Sequence, residues 1–115
     1  MIEKVYKIAR QSEWSEIAKT GTFSGSPDDK RDGFIHLSSK SQVRTTFERY
    51  FAGEDDLLLV ILDSNELGPA LKWEPSRRGE SFPHLYASLG IESVHSVVPI
   101  HSDTDGSPIF PPDIP

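Results

Sequence analysis

The sequence predicts a compact, single α+β domain with two main helices and a mostly antiparallel sheet. A continuous apolar run, Leu57 to Leu62, is typical of a central strand that is buried on both faces. Three short β-prone segments follow this run, and a length of 115 residues suits one domain. An apolar stripe with helical spacing precedes the run, formed by Val43, Phe47, Tyr50 and Phe51.

The first third of the chain predicts one strand, one helix and one loop. β-prone residues favour a strand over about Glu3 to Ala9, and Ser12 resembles the N-cap of a short amphipathic helix that stops before Gly21. The stretch from residue 22 to residue 32 is rich in Gly, Pro and Asp, which is typical of a loop. Asp32 and Gly33 mark a turn at its end.

A second strand and the main helix follow this loop. Phe34 to Ser38 predicts a short strand, and Ser39 with Gln42 three residues later resembles a capping box that opens a helix. The apolar stripe forms the buried face of this helix, and Gly53 is suited to end it.

The last part of the chain predicts three strands and a tail. The strands lie at Leu71 to Glu74, Phe82 to Ala87 and Val94 to Ile100, separated by Pro75, Gly79 and Gly90. Residues 103–115 hold four of the nine prolines, so we expect an extended tail after a domain of residues 1–102. The tail has an alternative use, because Ile109 to Pro112 is able to dock on a partner protein as an extended segment.

Composition excludes several classes of function. Without cysteine the chain has no disulfide, no thiolate nucleophile and no cysteine-based metal site. A net charge of −6 and a pI near 5.1 oppose nonspecific nucleic-acid binding, which needs a basic surface. The longest apolar run is far shorter than the roughly 20 residues of a membrane span. We therefore expect a cytoplasmic protein with neither a nucleic-acid nor a membrane partner.

Strand alternation predicts one polar sheet face with acid–base groups. Alternate side chains point to opposite faces of a strand, so Ile35 and Leu37 belong to the core face of their strand and Leu85 to that of its own. If the strands are neighbours, the opposite face collects two imidazoles, a hydroxyl and a carboxylate, which suit acid–base work near neutral pH. A solvated sheet face without function shows the same alternation. The residues concerned are Phe34, His36, Ser38, Glu74, Phe82, His84 and Tyr86.

Two further groups of residues have side chains of the kinds that bind anions or metals. Arg77 and Arg78 stand beside Gly79, which suits capture of a phosphate or carboxylate, although a solvated charged loop balanced by Glu80 is the more common origin of such a sequence. His95 and His101 fit no ligand spacing of a metal site, so we predict no metal.

The motifs of this chain resemble those of the domain of unknown function 952 family (DUF952). The resemblance covers Tyr6 to about Pro99 and includes Trp14, Gly21 and Phe23, while Ala87 stands where that family usually has a glycine. It implies a fold similar to that of the ADP-ribosyltransferases, in which a split sheet forms a cleft for NAD. The motifs that carry it are Asp32 to Ser38, Gln42, Trp73–Glu74 and Phe82 to Tyr86.

The resemblance and the polar face together suggest a cleft for a nucleotide-like or other anionic small molecule of the NAD or ADP-ribose type. The chain departs from the usual transferase pattern, because its first strand carries no histidine. His36 or His84 would act as base or acid with Glu74 as the orienting carboxylate, while Ser38 and Tyr86 would position hydroxyls. The alternative is a noncatalytic module for a ligand or a protein. The remaining expected contacts are Phe34, Phe82 and Tyr86 to a ring and Arg77 or Arg78 to phosphate.

Overall fold

The apolar run of the sequence lies in the middle of a four-stranded antiparallel sheet. In the computed structural model, which describes residues 3–76 and 79–115, strand β4 (Leu57–Asp63) lies between β1 (Lys4–Arg10) and β8 (Val94–Ser102). A two-residue strand, β9 (Pro108–Ile109), extends the sheet beyond β8. Residues 57–62 are all buried, which confirms that β4 is covered on both faces.

A second, three-stranded sheet, the histidine-bearing sheet, carries His36 and His84. Its antiparallel strands lie in the order β3 (Ile35–His36), β6 (Ser81–Leu85) and β5 (Leu71–Pro75). The two sheets meet at one bridge, where Tyr6 and Ser38 exchange both backbone hydrogen bonds at 2.8 Å. The α+β class and the mostly antiparallel pairing are thus confirmed.

The helices are shorter than the sequence predicts. Instead of one helix after Ser12, α1 (Gln11–Trp14) and α2 (Glu16–Thr20) are separated at Ser15, and Arg10 rather than Ser12 occupies the first N-cap. The main helix, α4, spans Val43–Tyr50. Its N-cap is Gln42 rather than Ser39. Of the predicted capping box, the Ser39 N–H donates to the Gln42 side chain at 3.0 Å, while the Ser39 hydroxyl contacts that of Ser41.

The stretch predicted to be a loop, residues 22–32, contains two elements, and that prediction is wrong. A short strand, β2 (Thr22–Phe23), pairs with β7 (Leu89–Gly90), and helix α3 follows at Pro27–Asp32. Ser26 and Asp29 form a reciprocal capping box at the start of α3. Gly33 ends the helix at a φ of 86°, which favours glycine.

Two hydrophobic cores lie on the two faces of β4. One core joins β1 and β4 to the histidine-bearing sheet and to Trp14 and Phe23, and it includes Ile35, Leu37 and Leu85, as strand alternation predicts. The other packs Tyr6, Ile8 and Leu59 against Val43 and Phe47 of α4. The remaining elements are α5 (Ser64–Leu67) and the 3-10 turns Gly68–Ala70 and Ile91–Ser93.

The segment after residue 102 lies against the domain. Ile114 is buried in the second core, the ring of Phe110 packs edge-on against Phe47, and Arg44 donates to the Pro115 carbonyl at 2.8 Å. The boundary at residue 102 stays a prediction. Among the helices of the described residues, none is long and apolar enough to cross a membrane.

Candidate functional site

The two histidines of the predicted polar face lie directly opposite each other. The antiparallel register of β3 and β6 pairs His36 with His84, and their ring centroids are 5.9 Å apart. Strand alternation predicts the face of each histidine, whereas the neighbourhood of the two strands comes from the structure.

His84 is held by a carboxylate and an aromatic ring. Its Nδ1 lies 2.8 Å from Oε1 of Glu74 on the neighbouring strand, and its ring stacks on Phe34 at a centroid distance of 4.0 Å. The hydroxyl of Tyr86 donates to the same Glu74 oxygen at 2.6 Å. Together, the hydrogen bonds from Tyr86 and then from His84 hold the pKa of Glu74 below its ordinary value. The shared hydrogen bond raises the pKa of Tyr86.

His36 lies between two aspartates. Its Nδ1 is 2.6 Å from Oδ1 of Asp29, and its Nε2 is 2.9 Å from Oδ2 of Asp32. A neutral imidazole carries only one N–H, so both contacts are hydrogen bonds only when the ring is protonated. His36 thus has a carboxylate at each ring nitrogen.

Asp29 connects His36 to a buried lysine. Its carboxylate lies 2.9 Å from Nζ of Lys7 and accepts the backbone N–H groups of Ser26 at 2.9 Å and His36 at 3.1 Å. Burial acts to raise the pKa of Asp29, but the hydrogen bond from His36 and the charge of Lys7 outweigh it and hold the pKa well below its usual range.

Sequence reasoning missed Lys7, Asp29 and Asp32 as site residues. Two signals were present: Ser26 stands three residues before Asp29 with Pro27 between them, which is typical of a helix start, and Lys7 interrupts an otherwise apolar strand. Helix α3 then delivers both aspartates, because Asp29 is in its first turn and Asp32 is its last residue.

A cavity of about 240 Å³ opens beside both imidazoles. The lysine and arginines that line it are paired: Lys7 with Asp29, Arg10 with Glu54 at 2.8 Å, and Arg31 with Asp28 and Asp32. Its lining includes Lys7, Asp29, His36, Ser38, Phe82 and His84.

The structure brings most of the predicted site residues together. Ser38 is buried, and its hydroxyl is 2.9 Å from that of Thr46 at the cavity wall. Phe34 and Tyr86 lie beside the histidine pair, with their ring centroids 5.3 Å apart.

The remaining predictions concern two arginines and the absence of a metal site. Arg77 and Arg78 lie outside the described residues. In the described part of the chain, no group of three or more His, Asp or Glu side chains is arranged to hold a metal ion.

The fold and the site define a small α+β protein with a cavity flanked by two carboxylate-bound histidines. The chain belongs to the family described as Protein of unknown function (DUF952), whose model matches residues 8–97. It is similar to protein CC0527 from Caulobacter crescentus: the crystal structure has 40% sequence identity and a TM-score of 0.87, with 92% of this chain and 93% of that chain covered. The solution NMR structure of CC0527 has 41% identity and a TM-score of 0.81, with 91% and 90% covered. No curated protein matches the chain.

Proposed function

We propose that the chain is a cytoplasmic protein whose cavity binds a nucleotide-like small molecule of the NAD or ADP-ribose type, on which His84 performs acid–base chemistry. The contact between Nδ1 of His84 and Glu74 at 2.8 Å carries this proposal. A carboxylate at Nδ1 keeps the proton on that nitrogen and leaves Nε2 to accept or donate one. His84 lines the cavity, and in this proposal a bound ligand contacts this nitrogen.

His36 orients the site rather than exchanging protons. Both of its ring nitrogens contact carboxylates, so neither is left to accept a proton from a ligand. In this proposal His36 is a positioning residue that fixes Asp29 and Asp32 beside the cavity.

The ligand class follows from the other groups at the site. Phe82 in the cavity and Phe34 and Tyr86 beside it offer faces for a flat ring, and the hydroxyl of Ser38 suits a sugar hydroxyl. We assign phosphate contacts to Arg77 and Arg78, which follow the cavity residue Ser76 directly in the chain. The fold relation implied by the family resemblance supports the choice of NAD or ADP-ribose.

A thermal-shift screen against NAD, ADP-ribose, mononucleotides and phosphorylated metabolites tests the ligand. A ligand at a hundredfold excess over its Kd stabilises by about 2.7 kcal/mol, which raises the Tm of a domain of this size by roughly 10 °C. A panel without any such shift contradicts the proposed ligand class.

A turnover assay with the ligand found tests the catalytic role of His84. We expect His84→Ala to retain binding but lose turnover, whereas His95→Ala, which removes an exposed imidazole on β8, changes neither. Normal turnover by the His84→Ala protein contradicts the role.

A noncatalytic binding module is the second candidate, and the contacts of His36 favour it. An imidazole with carboxylates at both nitrogens suits recognition better than proton transfer. Calorimetric titration with a ligand from the screen should then show binding by the unaltered protein, while a product assay finds the ligand unchanged. Turnover of the bound ligand by the unaltered protein contradicts this candidate.

A further inference from the structure

Strand β5 is the outer strand of the histidine-bearing sheet, and no other described strand pairs with its second edge. The hydrogen-bond pattern shows which groups point to that edge. Leu37 donates to the carbonyl of Pro83 at 3.1 Å, so the backbone of Pro83 faces β3 and not β5. Trp73, which lies opposite Pro83, therefore directs its own N–H and C=O outward.

The backbone groups of the neighbouring residues also point alternately toward β6 and toward the open edge. Tyr86 donates to the Ala70 carbonyl at 2.9 Å, which places residues 70, 72 and 74 on the β6 side of the backbone. Leu71, Trp73 and Pro75 consequently face the open edge. Pro75 has a carbonyl but no N–H to offer there.

One side chain at this edge is unusual for a strand that faces only water. Trp73 is 46% exposed, whereas the exposed Lys72 beside it is common on edge strands. An edge strand with a large exposed aromatic side chain is a template for pairing with another strand.

We propose that β5 pairs antiparallel with β5 of a second copy of this chain, about a two-fold axis at Trp73. In this register the two Trp73 residues exchange two backbone hydrogen bonds. No further backbone pair forms, because the Leu71 N–H already donates to the Gly68 carbonyl and Pro75 has no N–H.

Charge complementarity selects both the occupant and the register. A two-fold axis at Trp73 places Lys72 opposite Glu74 of the partner subunit, and it does so twice. An axis at Lys72 or at Glu74 would instead place like charges opposite each other, which is unfavourable. The sequence of the strand, Leu71–Lys72–Trp73–Glu74–Pro75, is thus complementary to itself in one antiparallel register.

The assembly contributes a residue to each candidate site. Opposite residues in antiparallel strands have their Cβ atoms about 4.5–5.5 Å apart and on one face of the sheet. Lys72 of the partner subunit therefore reaches Glu74, the carboxylate that holds His84 and Tyr86. This inference does not depend on which ligand the cavity binds.

Cross-linking through one introduced cysteine tests the register, since the chain has none of its own. Residues that exchange backbone hydrogen bonds have Cα atoms about 5.5 Å apart, within the range of a disulfide. We expect the Trp73→Cys protein to form a disulfide-linked dimer on mild oxidation. The matched variant Val97→Cys, at a site 37% exposed on the other sheet, should stay monomeric on a nonreducing gel. Equal cross-linking of both variants overturns the register.

Charge reversal tests the interface without removing Trp73. Sedimentation velocity over a range of protein concentrations should show a dimer for the unaltered chain and a monomer for Lys72→Glu. The double variant Lys72→Glu/Glu74→Lys should recover the dimer, because both ion pairs are restored with reversed sign. Circular dichroism checks that all three proteins are folded. A monomeric unaltered chain at every concentration, or a dimer that survives Lys72→Glu, overturns the proposal.

Discussion

Transfer of the Asp29 carboxylate from water to the protein interior costs free energy, and its neighbours offset that cost. The side chain is 1% exposed, yet it has a cation in Lys7, a donor in the ring of His36 and two backbone N–H groups. Lys7 depends on Asp29 in turn, because its own side chain is only 6% exposed. Neither charge is stable in the interior without the other.

Replacing Asp29 by Asn is expected to destabilise the protein by about 3–5 kcal/mol, because the charge of Lys7 then lies buried without its partner. Chemical denaturation measures the change. The matched variant Asp28→Asn alters the preceding residue, whose side chain is 72% exposed, and should change the free energy of unfolding by less than about 0.5 kcal/mol. Similar losses in the two variants would contradict the role of Asp29.

Acid should weaken the fold through the same carboxylate. Because the folded pKa of Asp29 lies below the unfolded value of about 3.9, its contribution to stability is present above that pH and is lost as the pH falls below it. Denaturation midpoints between about pH 6 and pH 2 should therefore fall more steeply for the unaltered protein than for Asp29→Asn. Parallel curves would contradict this prediction.

Removing one hydroxyl should change the titration of Glu74. Tyr86→Phe removes the hydrogen bond that contributes most to the lowered pKa of Glu74, so this pKa should rise toward its ordinary value. The carboxyl carbon signal of Glu74, followed by NMR during a pH titration, reports it directly. Because His84 still donates to Glu74, part of the depression should remain. An unchanged titration midpoint would contradict the contribution of Tyr86.

The sequence predicts the chemistry of single residues better than their partners. Alternation along Phe34 to Ser38 places His36 on the polar face, since that property is local to one strand. Its contacts with Asp29 and Asp32 depend on where α3 packs, and its place opposite His84 depends on the register between two strands 48 positions apart in the chain. Pairing between segments that are far apart in the chain cannot be recognised in the local sequence pattern of either segment.

Helix α3 is the element on which the site depends most. It has only six residues, and its stability rests on its ends: a capping box at Ser26 and Asp29, Pro27 in the first turn, and Gly33 at the C-terminus. The aspartates of this helix bind His36 at both ring nitrogens. The sequence features that look like a loop are thus the caps of a short helix.

Ser26→Ala is expected to destabilise the protein by about 1 kcal/mol, because the N–H of Asp29 loses its acceptor. The matched variant Ser12→Ala should be close to neutral, since the N-cap of α1 is Arg10. Thermal unfolding of the two variants measures the difference. A larger loss from Ser12→Ala would contradict both cap assignments.

Long or strongly patterned elements were predictable, and short ones were not. The unbroken apolar residues of β4 and the apolar stripe of α4 each reflect burial that spans the whole element, so the pattern is read without knowledge of the neighbours. In contrast, β2 and β7 have two residues each and exist only because they pair with each other. Their sequences carry no strand period to recognise.

At the scale of the whole molecule, β4 separates two hydrophobic cores that support different parts of the structure. The core that includes Ile35, Leu37 and Leu85 supports the histidine-bearing sheet, while the other lies under α4 and is closed by the C-terminal segment. The proposed β5 interface lies at the outer edge of the histidine-bearing sheet. The cavity borders both cores, because Leu37 of the first core and Tyr6 and Ile8 of the second line it.

The C-terminal segment should stabilise the fold without taking part in ligand binding. Ile114 is 5% exposed in the second core, so Ile114→Ala is expected to cost about 2–5 kcal/mol. Ile109, which is 54% exposed on β9, provides the matched variant, and Ile109→Ala should cost less than about 0.5 kcal/mol. Chemical denaturation measures both changes.

Calorimetric titration with a ligand from the screen, at a temperature where both isoleucine variants are folded, should give equal affinities. Neither isoleucine lines the cavity, so the loss of volume at Ile114 removes no ligand contact, although Tyr6 and Ile8 of the same core do line it. A weaker affinity of Ile114→Ala alone would show that the packing of the second core affects this wall of the cavity. A loss of affinity in Ile109→Ala, whose fold should be unchanged, would instead mean that the C-terminal segment itself contacts the ligand.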